Sequence, residues 1–235
     1  MNAEMRQRTD TGRSYAGATM HASPGTHEAA LGALRHVAPP GARVLDVGAG
    51  SGAFSLRLRD AGWCPIALDA TVSTELDGIR FIESDVAALS NVVEPESFPV
   101  VVVIETMEHL PNPSKFLQDC YEVLEPGGVL LLTTPNVLHP YSKIKYMIKG
   151  KYWLFDELAY WSTGHITPLP EWLLREHLKR AGFTAIRWGT GGYFEATGIR
   201  RTAIQLLSAV ARRGAQLPST GEGVVLVMAA QKPTA

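Results

Sequence analysis

A short apolar run that ends in a glycine-rich turn constrains this chain more than any other feature. The segment is 44–52, VLDVGAGSG, and a helical pattern starts directly after it at Ala53. Glycine accepts positive φ and has no Cβ, so the backbone at Gly48, Gly50 and Gly52 can approach a ligand closely. The first turn of the helix adds N–H groups that have no partner within the helix. The segment therefore predicts a strand–turn–helix unit with a binding site at the turn.

Strand-like runs and helical patterns alternate along the rest of the chain. The run 99–105 is apolar almost throughout, which is typical of a central parallel strand buried on both faces. Repeated strand–helix–strand order predicts an α/β fold with a doubly wound parallel sheet, whose ligand lies at the carboxyl ends of the strands. Between 136 and 169 the regularity lapses. The predicted strands are 43–47, 65–69, 80–83, 99–105, 128–134, 183–188 and 223–230, and the predicted helices are 27–37, 53–61, 114–124, 170–181 and 197–213.

Charge, cysteine content and hydropathy exclude several classes of protein. The 22 basic and 23 acidic side chains give a net charge of −1, which argues against a globally basic nucleic-acid binder. Cys64 and Cys120 stand alone, without disulfide or zinc spacing, so we expect a reducing, cytoplasmic location. The amino-terminal residues lack the apolar region of a secretory signal, and apolar runs such as 224–230 are too short to span a bilayer. We expect a soluble protein with a flexible arm over 1–26 and one domain over 27–235.

Three aspartates accompany the glycine turn. Asp46 precedes the turn, Asp69 ends the second predicted strand and Asp85 follows the third. A carboxylate at the end of the second strand can accept hydrogen bonds from ribose hydroxyls, so the turn and Asp69 together predict a nucleoside pocket. With Ala53, the turn also satisfies the loose GxGxxG/A pattern of nicotinamide and flavin sites. However, Asp46 beneath the turn is awkward for a pyrophosphate and suits a cationic ligand.

Five segments follow one another along the chain: VLDVGAGSG, ALDA with Asp69, FIESDVAAL with Asp85, VVVVIETMEHLPNP and LEPGGVLLLTTPN. In this order they resemble the class I S-adenosylmethionine-dependent methyltransferases of the small, single-domain type, over residues 27–235. The resemblance implies a seven-stranded, mostly parallel Rossmann-like sheet with helices on both faces and an antiparallel last strand. It also implies S-adenosyl-L-methionine as the cofactor, and cap insertions near 136–169 and 195–220.

The resemblance assigns the cofactor to the glycine turn and its acidic neighbours. The implied cofactor-binding residues are Asp46, Gly48, Gly50, Gly52, Asp69, Asp85, Val86 and Glu105. Asp46 and the glycines would flank the methionine moiety, Asp69 would hold the ribose hydroxyls, and Glu105 would close the pocket. Asp85 and Val86 would contact the adenine. Simpler interpretations stay open, in which the glycines form only a tight turn, Asp69 caps a helix and Asp85 is the N-cap of the following turn.

The loop after the fourth predicted strand concentrates polar chemistry. It carries Glu105, Glu108 and His109, and a later segment, GHITP, brings a second imidazole at His165. Carboxylates and imidazoles suit Mg, Mn, Fe or Zn in different proportions. The arrangement resembles the ubiquinone-biosynthesis O-methyltransferases and the small-RNA terminal 2′-O-methyltransferases, in which a Glu-x-x-Glu-His loop and a later histidine help bind metal. Glu-His followed by Leu-Pro also occurs in methyltransferases without metal, so the sequence does not decide whether a metal ion binds here. His109 and then His165 are the predicted catalytic residues that activate the acceptor.

The segment 141–155, YSKIKYMIKGKYWLF, interleaves four lysines with aromatic side chains and contains no acid. Such an insertion after the fifth strand would cover the acceptor site, where it could cradle a phosphate, a nucleotide, a glycan carrier or an anionic lipid head group. Alternatively, its apolar side chains pack on the domain and its lysines stay solvated. The predicted helix 197–213 also has several possible roles: it could form a second cap, contact a second copy, lie on a membrane surface or pack in the core. We expect a small-molecule acceptor, with an anionic or lipid-linked one as an option and nucleic acid disfavoured.

These observations give one leading hypothesis and three alternatives. The leading hypothesis is S-adenosylmethionine-dependent methyl transfer to a small-molecule, isoprenoid or glycan-type acceptor, at oxygen. The alternatives are metal-dependent RNA 2′-O-methylation, a nicotinamide-dependent oxidoreductase, and a non-catalytic partner subunit that keeps the fold. No serine–tyrosine–lysine set supports the oxidoreductase, and the joint presence of Asp46, Asp69 and Asp85 argues against the inert subunit.

Overall fold

A seven-stranded sheet forms the centre of the molecule. The computed structural model describes residues 14–71, 76, 78–193 and 223–234. The strands are β1 (Ser14–Tyr15), β2 (Ala18–Thr19), β3 (Arg43–Val47), β4 (Cys64–Asp69), β5 (Arg80–Glu83), β6 (Phe98–Ile104), β7 (Leu124–Pro135), β8 (Thr184–Gly191) and β9 (Val225–Gln231). Strands β1 and β2 form a small antiparallel hairpin, and the other seven form one sheet in the order β5-β4-β3-β6-β7-β9-β8.

Helices cover both faces of this sheet. They are α1 (Thr26–Arg35), α2 (Ala53–Asp60), α3 (Leu89–Val92), α4 (Pro113–Val123), α5 (Pro140–Lys149), α6 (Glu157–Ser162) and α7 (Glu171–Ala181), with 3₁₀ turns at Val86–Ala88 and Met107–His109. Local signals set several boundaries. Asn112, for example, accepts a hydrogen bond from the Lys115 N–H at 3.1 Å and so caps α4, which starts at a proline. Within the described ranges, no helix is both long and apolar enough to cross a membrane.

The strand order places a crevice at the middle of the sheet. From β3 the chain builds outward to β4 and β5, and it then returns to place β6 on the other side of β3. Connections therefore leave β3 and β6 in opposite directions, which opens a crevice at their carboxyl ends. Strand β9 runs antiparallel to both β7 and β8, whereas the pairs from β3 to β7 are parallel. The predicted doubly wound, mostly parallel sheet with an antiparallel last strand is confirmed.

Strand β6 contributes to two cores, one on each face of the sheet. Val101 and Val103 pack in a cluster that includes side chains of α4 and α7. Val100 and Val102 pack in another cluster, with side chains of α1 and α2. All four are buried. Because both faces are covered, every position of this strand is best occupied by an apolar side chain, and the alternation typical of half-exposed strands is absent.

The structure corrects the expectation that regularity lapses over 136–169, because α5 and α6 lie there. Local caps begin both helices: the His139 Nδ1 accepts from the Tyr141 N–H at 3.2 Å, and the Asp156 carboxylate accepts from the Ala159 N–H at 3.0 Å. Apart from Ser142, the residues of α5 are partly or fully exposed. Ile144, Met147 and Ile148 have helical spacing in the sequence, but lysines stand among them and Met147 and Ile148 face solvent, so the helix was not predicted.

Part of the predicted amino-terminal arm packs against α2. The Tyr15 hydroxyl donates to the Asp60 carboxylate at 2.9 Å, and the Arg57 guanidinium lies 4.2 Å from the centre of the Tyr15 ring. The boundary between arm and domain at residue 27 stays a prediction. Residues 1–13 of the arm, the predicted helix 197–213 and the predicted cap 195–220 lie outside the described residues.

Candidate functional site

A cavity of about 780 Å³ opens at the carboxyl ends of β3 and β6. This volume lies within the range of roughly 300–1,000 Å³ that is typical of small-molecule sites. Its walls are the glycine turn, the ends of β4 and β5, the loop after β6, the region of α6 and residues 19–24. Every predicted site residue except Gly52 lines it, namely Asp46, Gly48, Gly50, Asp69, Asp85, Val86, Glu105, His109 and His165.

The glycine turn is held tightly between two neighbouring strand ends. Gly48 has a φ of 78°, and its N–H donates to the Leu68 carbonyl at the end of β4 at 2.8 Å. A Cβ at Gly48 would lie 2.3 Å from the Thr106 Oγ1 in the loop after β6. Gly52, with a φ of 81°, begins α2, and no side chain caps this helix. The turn therefore needs glycine for its conformation and for its closeness to Thr106.

Replacing Gly48 by alanine should destabilise the fold. A left-handed conformation costs a non-glycine residue about 1–2 kcal/mol, and the contact with Thr106 adds an overpacking cost of about 1–3 kcal/mol. The matched control is Gly41→Ala, because Gly41 also has a positive φ but nothing within 4 Å of the added Cβ. Urea unfolding should show a loss of about 2–5 kcal/mol for Gly48→Ala, clearly more than for Gly41→Ala. Equal losses would mean that Thr106 gives way freely.

Asp46 lies buried beneath the turn. Its carboxylate accepts a hydrogen bond from the Ser55 Oγ on α2 at 2.5 Å. Burial raises the pKa of Asp46 to about 7, the Ser55 hydrogen bond partly offsets this, and the charge of Asp69 adds to it. A buried carboxyl of this kind is poised to ionise when a cationic group occupies the cavity.

The buried Asp46 should make the free energy of unfolding fall as the pH rises. Its folded pKa of about 7 lies above its value near 3.9 in an unfolded chain, so its contribution is complete below about pH 4 and is lost as the pH rises through about 7. Asp46→Asn keeps an acceptor for Ser55 without the charge. Between about pH 5 and about pH 8, wild type should lose about 2–3 kcal/mol more than Asp46→Asn in urea unfolding. Parallel pH profiles would contradict this prediction.

Asp69 and Asp85 hold different positions in the cavity wall. The half-buried Asp69 carboxylate accepts from the Gly50 N–H at 2.8 Å and from the Thr71 N–H at 3.1 Å. These bonds fix the carboxylate at the end of β4 beside the glycine turn. The exposed Asp85 accepts from the Ala87 N–H at 2.8 Å and is the N-cap of a 3₁₀ turn. The simpler interpretation of Asp85 as a cap therefore describes at least part of its role.

Two buried carboxyl groups follow β6. Glu105 has a φ of 49°, the left-handed region that non-glycine residues seldom adopt. Burial raises the pKa of Glu105 to about 7. For the completely buried Glu108, burial and then the charge of Glu105 raise the pKa well above its usual range. The Glu108 Oε2 accepts from the Thr134 Oγ1 at 3.0 Å, but the Oε1 atoms of both glutamates have no hydrogen-bond partner among the described residues.

His109 and His165 form an edge-to-face pair, with their ring centres 4.8 Å apart. The His165 Nδ1 lies 3.0 Å from the Leu154 carbonyl oxygen. Since a carbonyl only accepts, Nδ1 carries the proton of the neutral ring and the Nε2 lone pair stays free. Burial, followed by the charge of His109, lowers the pKa of His165 to about 4. Desolvation by surrounding protein atoms also lowers the pKa of His109, which is exposed at the cavity mouth. Both rings are neutral at pH 7.

The backbone brings these histidines to the buried carboxyl. The N–H groups of Ile166 and Thr167 donate to the Glu108 carbonyl at 2.9 and 3.0 Å, so the segment with His165 runs alongside the loop after β6. As a result, one ligand atom each from Glu108, His109 and His165 lie within 4.8 Å of one another. Glu105, the third polar residue predicted from this loop, is outside the group of Glu108, His109 and His165. The group can bind a cation or take up a proton.

His27 is a residue in the cavity wall that sequence reasoning missed. It lies in the first turn of α1, is buried, and packs edge-to-face on Phe54 with ring centres 5.1 Å apart. Burial and then the charge of Arg57 lower its pKa to about 4. Its Nδ1 has no hydrogen-bond partner among the described residues. Its place at the start of an amphipathic helix was the available signal, but a single histidine there predicts no ligand.

The lysine and aromatic segment 141–155 divides between the cavity and the surface. Trp153 and Leu154 line the cavity, and the Trp153 N–H donates to the Ser142 Oγ at 3.0 Å. Tyr146, Met147 and Ile148 are exposed. Neither of the two interpretations considered for this segment therefore describes it completely.

Comparison with known proteins identifies the family of this chain. A family model described as a methyltransferase domain matches residues 23–187. The ubiquinone biosynthesis O-methyltransferase of Xanthomonas campestris pv. campestris (strain B100) is 37% identical over 109 residues, which cover 43% of this chain and 46% of that protein. The chain thus matches less than half the length of this curated relative.

Solved structures share the fold over a larger part of the chain. A SAM dependent methyltransferase from Archaeoglobus fulgidus superposes with a TM-score of 0.61 and 18% identity, covering 88% of this chain and 95% of that one. Phosphoethanolamine N-methyltransferase 2 of Haemonchus contortus, in complex with S-adenosyl-L-methionine, has a TM-score of 0.59 and 19% identity, covering 90% and 54%. At this level of identity the likeness concerns the fold alone.

Proposed function

Since this chain belongs to the class I S-adenosylmethionine-dependent methyltransferases, we propose that it transfers the methyl group to an oxygen of a small-molecule acceptor. The observation that carries this proposal is the convergence of Glu108, His109 and His165 in the same cavity as the glycine turn. A hydroxyl acceptor needs help to lose its proton, and these side chains can give it. The related protein from Xanthomonas is by its name an O-methyltransferase, which supports oxygen as the acceptor atom.

The donor occupies the part of the cavity that the glycine turn lines. Asp69 accepts hydrogen bonds from the ribose hydroxyls, and Asp85 with Val86 borders the adenine. Asp46 and the turn flank the methionine moiety, where the positive sulfonium and ammonium groups favour ionisation of the Asp46 carboxyl. Glu105 closes the cavity at the end of β6. The positions of all these residues in one wall support this arrangement.

Methyl transfer is an in-line displacement, in which the methyl–sulfur bond breaks as the methyl–oxygen bond forms. The chain must align the two reactants and exclude water. The hydroxyl proton passes to a neutral imidazole. His109 is the primary candidate, and the free Nε2 of His165 is the alternative acceptor, because the Leu154 carbonyl holds the proton at Nδ1.

The same three side chains also fit a divalent cation. The Glu108 Oε1 is buried and has no hydrogen-bond partner within the described part of the chain, and one oxygen and two imidazole nitrogens lie within 4.8 Å of one another. This donor set suits Zn, Fe or Mn better than Ca. A cation held by Glu108, His109 and His165 would lower the pKa of the acceptor hydroxyl. In either arrangement, Glu108 holds the loop after β6 against Thr134 and shapes the acceptor end of the cavity.

The acceptor's remaining part lies towards α5 and α6. Trp153, Leu154, Ser162 and Thr163 line the cavity on this side, next to His165. The lysines of segment 141–155 do not line the cavity, but the positive charge of this segment beside it favours an acceptor that carries an anionic or lipid-linked portion outside the cavity. An isoprenoid or glycan-type intermediate combines such a portion with a free hydroxyl.

A screen of acceptor classes tests this function. Purified protein is incubated with methyl-labelled S-adenosylmethionine and phenols, isoprenoid phenols, glycan intermediates, amines or RNA ends, each with and without chelator. Label transfer to a hydroxyl acceptor supports the proposal, and loss of transfer with chelator identifies the cation as required. Transfer to amines only, or to RNA 2′-hydroxyls only, would replace the proposed acceptor class.

A further inference from the structure

Helices α5 and α6 expose an unusual set of large apolar side chains. Met147 is 83% exposed, Ile148 74%, Leu158 62% and Trp161 67%. Single exposed apolar residues are ordinary, but several on successive helices mark an interaction site. We call these four residues, together with Lys143 and Lys149, the cap surface.

Helices α5 and α6, which carry these exposed side chains, are joined by several contacts. The Lys145 Nζ lies 2.7 Å from the Asp156 carboxylate, and the Lys151 Nζ lies 2.6 Å from that of Glu157. The stacked rings of Tyr146 and Tyr152, with centres 4.5 Å apart, add a third tie. The first contact joins α5 to the N-cap of α6, and the other two tie the connecting segment to α6 and to α5. The exposed apolar side chains therefore lie on two helices that contact each other directly and through their connecting segment.

The charge around these side chains is positive. Between 140 and 163 the chain has four lysines and two acidic residues, a net charge of +2, whereas the whole chain carries −1. Asp156 and Glu157 pair with Lys145 and Lys151, which leaves the charges of Lys143 and Lys149 as the excess. Basic side chains beside exposed Trp, Tyr and aliphatic groups are the composition of surfaces that bind at the head-group level of a bilayer.

We propose that the cap surface docks on an anionic lipid bilayer. Met147, Ile148, Leu158 and Trp161 enter the boundary between head groups and acyl chains, the exposed Lys149 faces the anionic head groups, and the half-buried Lys143 adds to the positive charge. A second copy of the chain fits this surface less well. A two-fold interface brings the same patch of both subunits together, so it would place one excess of lysines against another.

The docked surface adjoins the acceptor end of the catalytic cavity. A groove of about 390 Å³ runs beside α6, lined by residues that include Phe155, Trp161, Ile166 and His165. His165 also lines the main cavity, so it stands between the two spaces. An acceptor held in the bilayer would reach the reacting centre along this groove. This last step rests on the proposed function, whereas the docking does not.

Vesicle sedimentation tests the docking with the protein alone, without donor or acceptor. The vesicles are phosphatidylcholine, either pure or with about 30% phosphatidylglycerol, at about 0.1 M and about 0.5 M salt. We expect binding to the anionic vesicles, and weaker binding to neutral vesicles and at high salt. The variant Met147→Glu/Ile148→Glu should bind at least about tenfold more weakly, and Lys149→Ala about fivefold.

Val92→Glu is the matched control, because Val92 is an exposed apolar residue on α3. It should leave vesicle binding unchanged, and all variants should keep the circular dichroism of the wild type. Absence of binding to anionic vesicles, or equal loss in Val92→Glu, would overturn the proposal. So would a concentration-dependent dimer that Met147→Glu/Ile148→Glu dissociates, since the cap surface would then join two copies. Methyl transfer to a water-soluble acceptor is measured separately and can succeed or fail independently.

Discussion

Asp69→Ala is expected to weaken binding of S-adenosylmethionine by about two to three orders of magnitude. In the proposed complex the carboxylate accepts from two ribose hydroxyls, and a hydrogen bond to a charged group contributes about 1.5–3 kcal/mol. In the free protein the Gly50 and Thr71 N–H groups hold this carboxylate in position, at 2.8 and 3.1 Å. Little rearrangement is therefore needed on binding, and most of the interaction energy is lost in the variant. Isothermal titration calorimetry with S-adenosylmethionine and S-adenosylhomocysteine measures the change.

Asp85→Ala is the matched comparison, because it removes another carboxylate from the same cavity wall. Asp85 is exposed and already accepts from the Ala87 N–H, so we expect a loss below about tenfold. Circular dichroism should show both variants folded. If Asp69→Ala binds the donor like wild type and Asp85→Ala does not, the ribose lies elsewhere and the donor assignment is wrong.

His109→Ala should lower kcat by about 10²–10⁴ once an acceptor is known, while the donor dissociation constant stays within about twofold. Desolvation lowers the pKa of the His109 ring, so its neutral form is available as a base throughout the neutral range. The wild-type rate should fall as the pH drops through this lowered pKa, and the variant should lack that step. His165→Ala should have a smaller effect if it is the secondary group.

His36→Ala is the control, since His36 is exposed at the end of α1 and does not line the cavity. Adding a chelator distinguishes the two proposed roles of His109, as a general base or as a ligand of a cation. If His109 is a base, chelator leaves the wild-type rate unchanged, and if it holds a cation, chelator abolishes the rate and His109→Ala lowers the amount of Mn²⁺ or Zn²⁺ bound. Full activity of His109→Ala would exclude both roles.

Local patterns were enough to predict the sheet and most of its helices. The strand at Arg43–Val47 and the one at Arg80–Glu83 have the predicted bounds, and β6 differs from its prediction by one residue at each end. Such elements follow from short-range signals, such as a two-sided apolar run or a turn of glycines. Helices α5 and α6 were missed although Ile144, Met147 and Ile148 have helical spacing, because lysines interrupt this short pattern and the caps at His139 and Asp156 are weaker signals than a long periodic apolar face.

The site likewise contains residues that the sequence predicted and one that it did not. The glycine turn and Asp69 were predicted to meet because the carboxyl ends of adjacent parallel strands lie at one edge of the sheet, and the Gly50–Asp69 hydrogen bond confirms that they are neighbours. His27 was not predicted to join them. It reaches the cavity because α1 packs across the sheet with its amino terminus at the same edge, and neither its residue type nor its position signals that contact.

The sequence by itself determined the fold class, the family and the edge of the sheet where the cavity lies, because each depends on patterns within a few residues of one another. Only the tertiary structure decided that Glu108 and His109 meet His165. That meeting depends on the N–H groups of Ile166 and Thr167 bonding to the Glu108 carbonyl, a long-range pairing of two loops. The tertiary structure also decided which side chains of α5 and α6 face water. Where an element packs is set by the surface that it meets, and that surface comes from distant parts of the chain.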